Sequence, residues 1–504
     1  VSDAVEAKRY LEVLDQRLKA RNPEIQLWEN YYDGIHRLQF ATSRFRANFG
    51  NLFREFADNW CELVINASVE RMKVIGFRTE SGTVEADADA SEIWRDNAGA
   101  LQQKMAFTEA CKFGTAYFFV DAEHTVEDTN SPLITVEHPA QTITHHDPSN
   151  RRRRLAGMKQ WQDDAGRLLA TVYLPDTVYR FQAEEKRQAS TPGSTLLASG
   201  LQAQTDYMSA PSSGAAVEWV PRAGAPFEVE NKLGVVPLVP IENNPTIKGG
   251  RSDLSVVIPI QDAINKELMD MIVASEFAAF MQRWATGIEI PKDPQTGKPL
   301  ARQDFLASVG RLWAVEDPDA KFGQFQASDL KNYVVAIEML IQHLAALTKT
   351  PPHYLLGQSG NFPSGDSLTA TETGLTAKVE SKWDDLDPSL CETTNLAFKA
   401  KGIDRRAQET IWKDAERRIR SQRIDGAVKL STLGVPQDGI WGDELGYTPE
   451  QIARFHEMKE SMGLDPHSSE FAVPPIEEAP GEGPEGNQKQ QQAVSQAARV
   501  ARVK

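Results

Sequence analysis

Only three cysteines occur in 504 residues, at Cys61, Cys111 and Cys391, and no two stand at the close spacing of a zinc knuckle or a redox dithiol. This excludes a disulfide-stapled scaffold and predicts three reduced thiols buried separately, as suits synthesis in a reducing cytosol. An uninterrupted apolar run is missing at the N-terminus, where VSDAVEAKRYLEVLDQRLKARNPE alternates acidic and basic residues around Leu11, Leu14 and Leu18. The segment therefore lacks the pattern of a secretory signal and is expected to remain in the mature protein. Positive charge is scarce too: 55 Lys and Arg stand against 71 Asp and Glu, a formal charge of -16. Tight wrapping of phosphates over a broad basic surface needs many cationic contacts, so it is disfavoured. A conduit that touches nucleic acid weakly is still allowed, because cargo held by many contacts would stall. No phosphate-cradling GxxxxGK[ST] string is present, and KFGTAYF lacks a nucleotide fingerprint, which disfavours an ATP-driven motor in this chain.

What is present fits a folded chain of class α+β. The apolar fraction of 40% supplies a sizeable core, enough for several domains or for one elongated subunit completed by neighbours. Tyr10, Leu14 and Leu18 share a helical face, Pro23 is expected to restart the chain, and Ile25, Leu27, Trp28 and Tyr31 form a second apolar surface ended by Gly34. Leu52, Phe53, Phe56, Trp60, Leu63, Val64 and Ala67 recur at helical spacing, predicting one long helix over 51–74 released at Gly76. The acidic stretch TESGTVEADADASE reads as a surface loop, since it lacks the ligand spacing and terminal Glu of a calcium loop. From Ala116 to about Tyr179 the runs AYFFV, LITVEH, TITHH, RLAGMKQW and LLATVYL predict an antiparallel β layer, with Gly114 as the bend between helix and strand. Residues 182–216 have little apolar periodicity and read as a long excursion.

The stretch SDLSVVIPIQDAINKELMDMIVASEFAAFMQRW predicts a helix of about 25 residues, about 37 Å long, beyond Pro259. Its second half is apolar on nearly every side, yet Asp270 and Glu276 make a membrane span a poor explanation. Packing between copies of the chain suits it better. A turn-rich insertion follows, then a second helix capped by Asp329 and stopped by Pro351 and Pro352, then a loop, then a long helix from Ser364. Residues 403–425 are strongly charged, with Trp412 and Ile419 as isolated anchors, and predict a solvated connection. Thr448, Pro449 and Gln451 form a capping box, and the chain beyond about 472 has the composition of a disordered tail.

Two clusters invite a chemical reading. His138, His145, His146 and Asp147 hold metal-ligating types, but adjacent strand residues point to opposite faces, so His145 and His146 converge only if a turn intervenes. Arg151, Arg152, Arg153 and Arg154 suit either a phosphate or, more simply, a solvated hairpin turn.

Several strings, in order, carry a resemblance: WENYYDG at 28–34, FADNWCELVINASVERMKVIGF at 56–77, KFGTAYFFV at 112–120, GVVPLVPIENNP at 234–245, GGRSDLSVVIPIQDAINK at 249–266 and PPHYLLGQSGNFPSGDSL at 351–368. Arranged around two helices that flank an insertion, they resemble the SPP1-like portal family of tailed phages, especially phages of actinobacteria. The resemblance covers most of residues 20–425. It implies a wing over 1–250, a first stem helix over 251–285, a clip over 286–327, a second stem helix over 328–350, a tunnel loop over 351–363, a long wing helix over 364–399, a helical crown over 400–465 and a polar tail over 466–504. Leu268, Ile272, Phe277, Leu340 and Leu344 are expected to pack the stem, and His353, Tyr354, Gln358 and Asn361 to line the tunnel loop, where they offer hydrogen bonds without a fixed strong positive charge. An interhelical packing loop that buries Tyr354 and Leu355 is the alternative. Further implied are a homo-oligomer, a dodecameric ring at the unique capsid vertex of the virion, assembled in the host cytoplasm. It would conduct double-stranded DNA and meet the terminase large subunit, the major capsid and scaffolding proteins and a head-tail connector, with no cofactor, no catalytic residues and no membrane. The rivals are a metal-dependent nucleic-acid-processing enzyme, which requires His145 or His146 to converge with two carboxylates, and a capsid scaffold without a channel.

Overall fold

The computed structural model describes residues 2–36, 58–79, 86–185, 217–279, 283–286, 321–324, 329–356, 365–416, 420–447 and 449–462. It is a mixed helix and sheet protein of two compact units, Val1–Glu416 and Arg417–Lys504.

The first unit opens with one continuous helix, α1 (Ser2–Tyr32), with Pro23 inside it. The expected break at Pro23 is corrected. A proline inside a helix costs about 3 kcal/mol or more, but here the helix is held on both sides of it. Ala7, Leu11, Leu14 and Leu18 are buried in one core, while Ile25 and Tyr31 are buried farther along. Arg21 adds an anchor, donating from Nη2 to the carbonyl oxygens of Pro139 and Thr142. Next comes α2 (Cys61–Val69). The single helix expected over 51–74 is corrected: residues 58–60 are not helical, Asn59 Oδ1 accepts from the Cys61 amide at 3.2 Å where the helix starts, and Val74 already opens β1 (Val74–Arg78), with Gly76 inside that strand. Asp87 then caps α3 (Ala88–Asp96), accepting from the Ala90 amide at 2.9 Å.

The β layer is where alternation and turn residues placed it. After α4 (Gly99–Phe113) come β2 (Thr115–Thr125), β3 (Pro132–Glu137), β4 (Thr142–His146), β5 (Arg154–Gln162), β6 (Leu168–Tyr173), β7 (Thr177–Glu185), β8 (Val217–Pro221), β9 (Glu228–Glu230) and β10 (Leu238–Glu242). They form a three-stranded sheet, β10-β2-β3, and a six-stranded sheet, β4-β5-β6-β7-β8 with β9 also on β7; all pairs are antiparallel. The α1 residues Leu11, Leu14 and Leu18 share a core with Met158, Val172, Phe181 and Trp219 of the larger sheet. A second core joins Val64, Phe107, Phe118, Val239, Leu254 and Leu390. All three cysteines are buried and free, and burial pushes the Cys111 thiol up to about 11 and those of Cys61 and Cys391 up to about 12, so they remain protonated at neutral pH.

The chain continues through α5 (Leu254–Ala279), β11 (Arg283–Thr286), β12 (Lys321–Gln324), α6 (Lys331–Thr348), the short α7 (Pro352–Leu355) and α8 (Gly365–Lys401). The strand β13 (Glu409–Trp412) then returns to pair with β1, and Trp412 stacks on Trp383 at 5.4 Å. One expectation changes here: residues 403–416 are not simply a solvated connection, since Ala407, Thr410 and Ala415 are buried and β13 pairs with β1, and the stretch belongs to the first unit, the second beginning at Arg417. Ile419 lies outside the described residues. The second unit contains α9 (Arg420–Thr432), a π-helical turn over Ile440–Glu444 and α10 (Pro449–Ser461). Trp441 packs on Phe455 there, and Pro449 takes the first helical position expected of it, while Thr448 lies outside the described residues.

Gly114 occupies the bend between α4 and β2 at φ +81°, and a Cβ on it would sit 2.8 Å from the Gly250 carbonyl oxygen. A Cβ on Gly250 would collide with the Gly114 carbonyl oxygen, so two backbones meet at a point only glycine allows. Gly250→Ala is expected to destabilise the chain by about 1–3 kcal/mol, read as a lowered thermal midpoint. An unchanged midpoint would mean that the loop before α5 shifts freely.

Candidate interfaces of the helical hairpin and the loop beyond it

The helix α5 begins at Leu254, ahead of Pro259, and not at the proline. Ser252 makes this possible by accepting from the Leu254 amide at 3.0 Å, while Leu254 and Val257 are buried. The first half of α5 is bolted to its surroundings. Gln261 accepts from the Trp60 amide at 2.8 Å and donates to the Asp58 carbonyl at 2.9 Å, and the Tyr31 hydroxyl donates to Asp262 at 2.6 Å. His36 donates from Nε2 to the Tyr31 carbonyl at 3.0 Å and so accepts at Nδ1 from Asn265 at 2.8 Å; burial lowers its pKa, in keeping with a neutral ring. Farther along, Leu268 and Ile272 are only half-buried, and the side chain of Phe277 lies outside the described residues.

The helix α6 packs back along α5, and the two are joined through the antiparallel pair β11 and β12, in register from Arg283 opposite Gln324 to Thr286 opposite Lys321. The insertion between these strands lies outside the described residues. Asp329 accepts from the Lys331 amide at 3.0 Å, as expected of a cap. On α6 Ile341, Leu344 and Ala345 are buried and Leu340 is half-buried. Another face is left bare: Val335 is 63% exposed, Met339 51% and Leu347 63%, with Val334 beside them at 45%. Val335 and Met339 stand one turn apart, and His343 and Leu347 continue the same ridge at steps of four residues. Nothing among the described residues covers it. No helix among the described residues is long and apolar enough to cross a membrane.

Pro351 and Pro352 end α6 as expected, and the chain turns through α7. Leu355 is buried in the core, and Tyr354 is half-buried with its hydroxyl engaged by Arg71 at 2.7 Å and by Glu372 at 3.1 Å. His353 lies 3.7 Å from the same carboxylate. Within the single chain Leu355 enters the core, as the packing alternative expects, and the Tyr354 hydroxyl expected to offer hydrogen bonds in the loop already bonds to Arg71 and Glu372. Gln358 and Asn361 lie outside the described residues.

The histidine cluster does not assemble. A bulge separates His145 from His146 at the end of β4, His145 pairs through Nδ1 with Arg17 at 2.9 Å, and His146 sits opposite Arg154. Burial and these arginines lower the pKa of both imidazoles, an environment that also repels a metal cation. Asp147 is tied to its own turn by Ser149 at 2.6 Å. His138 instead stands 3.4 Å from Glu29 and 3.2 Å from Glu109, two carboxylates already occupied by the buried ammonium of Lys112. Burial would raise the Glu29 carboxyl, but His138 and Lys112 hold it at about 2. Among the described residues no group of three or more ligating side chains is placed to hold a metal ion. Arg151, Arg152 and Arg153 lie exposed in the expected turn; Arg154 does not, since its guanidinium is buried in β5 and pairs with Glu392 at 3.0 Å.

Sequence reasoning missed a buried charge cluster in the first unit. Lys382 of α8 reaches Asp253 at 3.0 Å, Lys378 stands 3.4 Å from the same carboxylate, and Asn243 and Asn244 donate to it at 3.0 and 2.8 Å. The signal available was the polar triplet closing the apolar GVVPLVPI run and the Lys378 and Lys382 pair one turn apart on a helix. Neither says that the two meet.

Compared with known proteins, residues 11–460 match the family model for phage portal proteins of the SPP1 Gp6-like type. The portal proteins of Mycobacterium phage D29 and Mycobacterium phage L5 are each 28% identical to this chain over 425 residues, covering 80% of it and 79% of each of them.

Proposed function

This chain belongs to the SPP1 Gp6-like phage portal family, and from that premise we propose that copies of it close into a dodecameric ring whose central opening conducts double-stranded DNA during packaging, retention and ejection. The subunit is a virion component at the capsid vertex, assembled in the host cytoplasm. The observation that supports the ring best is the bare apolar ridge of α6, because an exposed row of Val335, Met339 and Leu347 is costly in water and a laterally placed second copy covers it. In this assignment α5 and α6 are the stem, and Leu268, Ile272, Phe277 and Leu340 face the neighbouring copy while Leu344 holds the subunit's own core. Residues 286–327 form the clip, which meets the terminase large subunit during packaging and the head-tail connector afterwards. The remaining surface meets the major capsid and scaffolding proteins. The net charge of -16 suits a passage that must not grip phosphate.

The loop opened by Pro351 is assigned to the channel wall, with His353, Gln358 and Asn361 as the residues that meet DNA. Removing Gln358 to Gly360 is expected to leave ring formation intact, as read by mass measurement, and to change the amount of DNA packaged or retained. Normal packaging and retention by the shortened ring, or imaging that places the loop outside the opening, would reject this role.

A further inference from the structure

The loop assigned to the channel wall in the preceding proposal is flanked by a buried junction that nothing in that assignment requires. Arg71 follows α2 in a turn, and its side chain is only 2% exposed. From this position Nη2 donates to the Tyr354 hydroxyl at 2.7 Å and lies 3.2 Å from Glu372 Oε2, while Nη1 donates to the Ala415 carbonyl at 3.3 Å. The Tyr354 hydroxyl in turn donates to Glu372 Oε1 at 3.1 Å, and the His353 ring stands edge-on to the Tyr354 ring at 4.7 Å. Tyr354 precedes residues 357–364 and Glu372 follows them inside α8, so one guanidinium joins the chain on both sides of that segment.

We propose that Arg71, Tyr354 and Glu372 act as a positioning clamp that fixes both flanks of the loop at one height and so sets how it meets DNA. This rests on the assignment of the loop to the channel wall. Three features suit the role. A guanidinium presents planar donors that serve a hydroxyl and a carboxylate together, which an ammonium on a flexible stem does not. The cation is desolvated, so taking a partner away from it costs more than at a surface pair. The third contact, to Ala415, ties the clamp to the stretch just after β13 and hence to the sheet formed with β1.

The test uses the full chain assembled as rings. Tyr354→Phe removes one hydroxyl and keeps the aromatic ring beside His353, so it tests the clamp even if Arg71→Lys fails to fold. Amide hydrogen exchange over residues 352–372 is expected to quicken by about tenfold or more, the factor equivalent to one lost hydrogen bond to a charged group. Exchange in β5 and β6 should be unchanged. Filled particles carrying Tyr354→Phe should lose DNA faster than wild type at temperatures where both rings stay folded, a result that a small loss of global stability does not give. Unchanged exchange over 352–372 overturns the clamp. Faster exchange with normal DNA retention, where the ring lacking Gln358 to Gly360 leaks, overturns its part in retention. If that shortened ring also retains DNA normally while exchange is quickened, the channel-wall assignment fails and the clamp stands.

Discussion

Replacing Lys382 by methionine is expected to lower the unfolding free energy of the chain by about 3 kcal/mol, because it takes the nearer of two cations from a buried carboxylate and leaves only Lys378 beside it. The side chains of Lys382 and Asp253 are 1% and 7% exposed, and Asp253 sits where β10 hands the chain to α5. Burial alone would raise the Asp253 carboxyl, but Lys378, Lys382 and the Asn243 amide outweigh it and hold the group at about 2, below its ordinary value of 3.8. The sign of the pH dependence follows. A carboxyl whose folded pKa is depressed contributes stability that is complete above its unfolded pKa and is lost as the pH falls from about 4 towards 2, here about 2–3 kcal/mol. In Lys382→Met the same carboxyl faces burial with one cation fewer, its pKa moves up, and acid then relieves the unpaired charge. Wild type should lose stability between about pH 5 and 2 while the variant loses less over that range. Denaturation midpoints across this range check both statements. A variant within about 1 kcal/mol of wild type and parallel to it in pH would show that Asp253 is solvated and not paired.

The pair also marks the limit of what the chain reveals before it folds. The strands from Thr115 to Glu185 were legible because side chains alternate with period two and Gly or polar turns separate the runs, both local properties. Pro23 and Pro259 misled for the opposite reason. Proline reports a local preference against helix, and burial of Leu18 and Ile25 around the first, and of Leu254 and Val257 before the second, overrides it. Residues 409–412 looked solvated because their partner strand β1 lies far back in the sequence, and only the pairing of Phe77 with Thr410 makes the stretch a sheet edge. In the run of four arginines, strand register alone separates the buried Arg154 from its three exposed neighbours. The apolar runs located the two helices that flank the insertion, but nothing local could indicate Arg71 or Lys382, whose roles depend on partners brought from distant segments.

Changing Val335 and Met339 together to aspartate is expected to abolish ring formation while leaving the fold of the single chain intact. Both side chains already face solvent in the lone subunit, at 63% and 51% exposure, so the substitution removes no contact from its own core. In the ring proposed above the same positions lie between copies. Burying a large apolar side chain contributes about 1.5–3 kcal/mol, so losing two forfeits about 3–6 kcal/mol at each interface, or about two to four powers of ten in affinity. Placing carboxylates there adds the cost of desolvating charge without a partner, which makes the loss larger. A closed ring amplifies the effect, since every interface carries the same lesion. Wild type should sediment or weigh as a ring at micromolar concentration and the double variant as a monomer, with the helical signal and the thermal midpoint of the monomer preserved. If the double variant still closes into rings, the ridge of α6 faces something other than a second copy, and the stem assignment of this helix has to be abandoned.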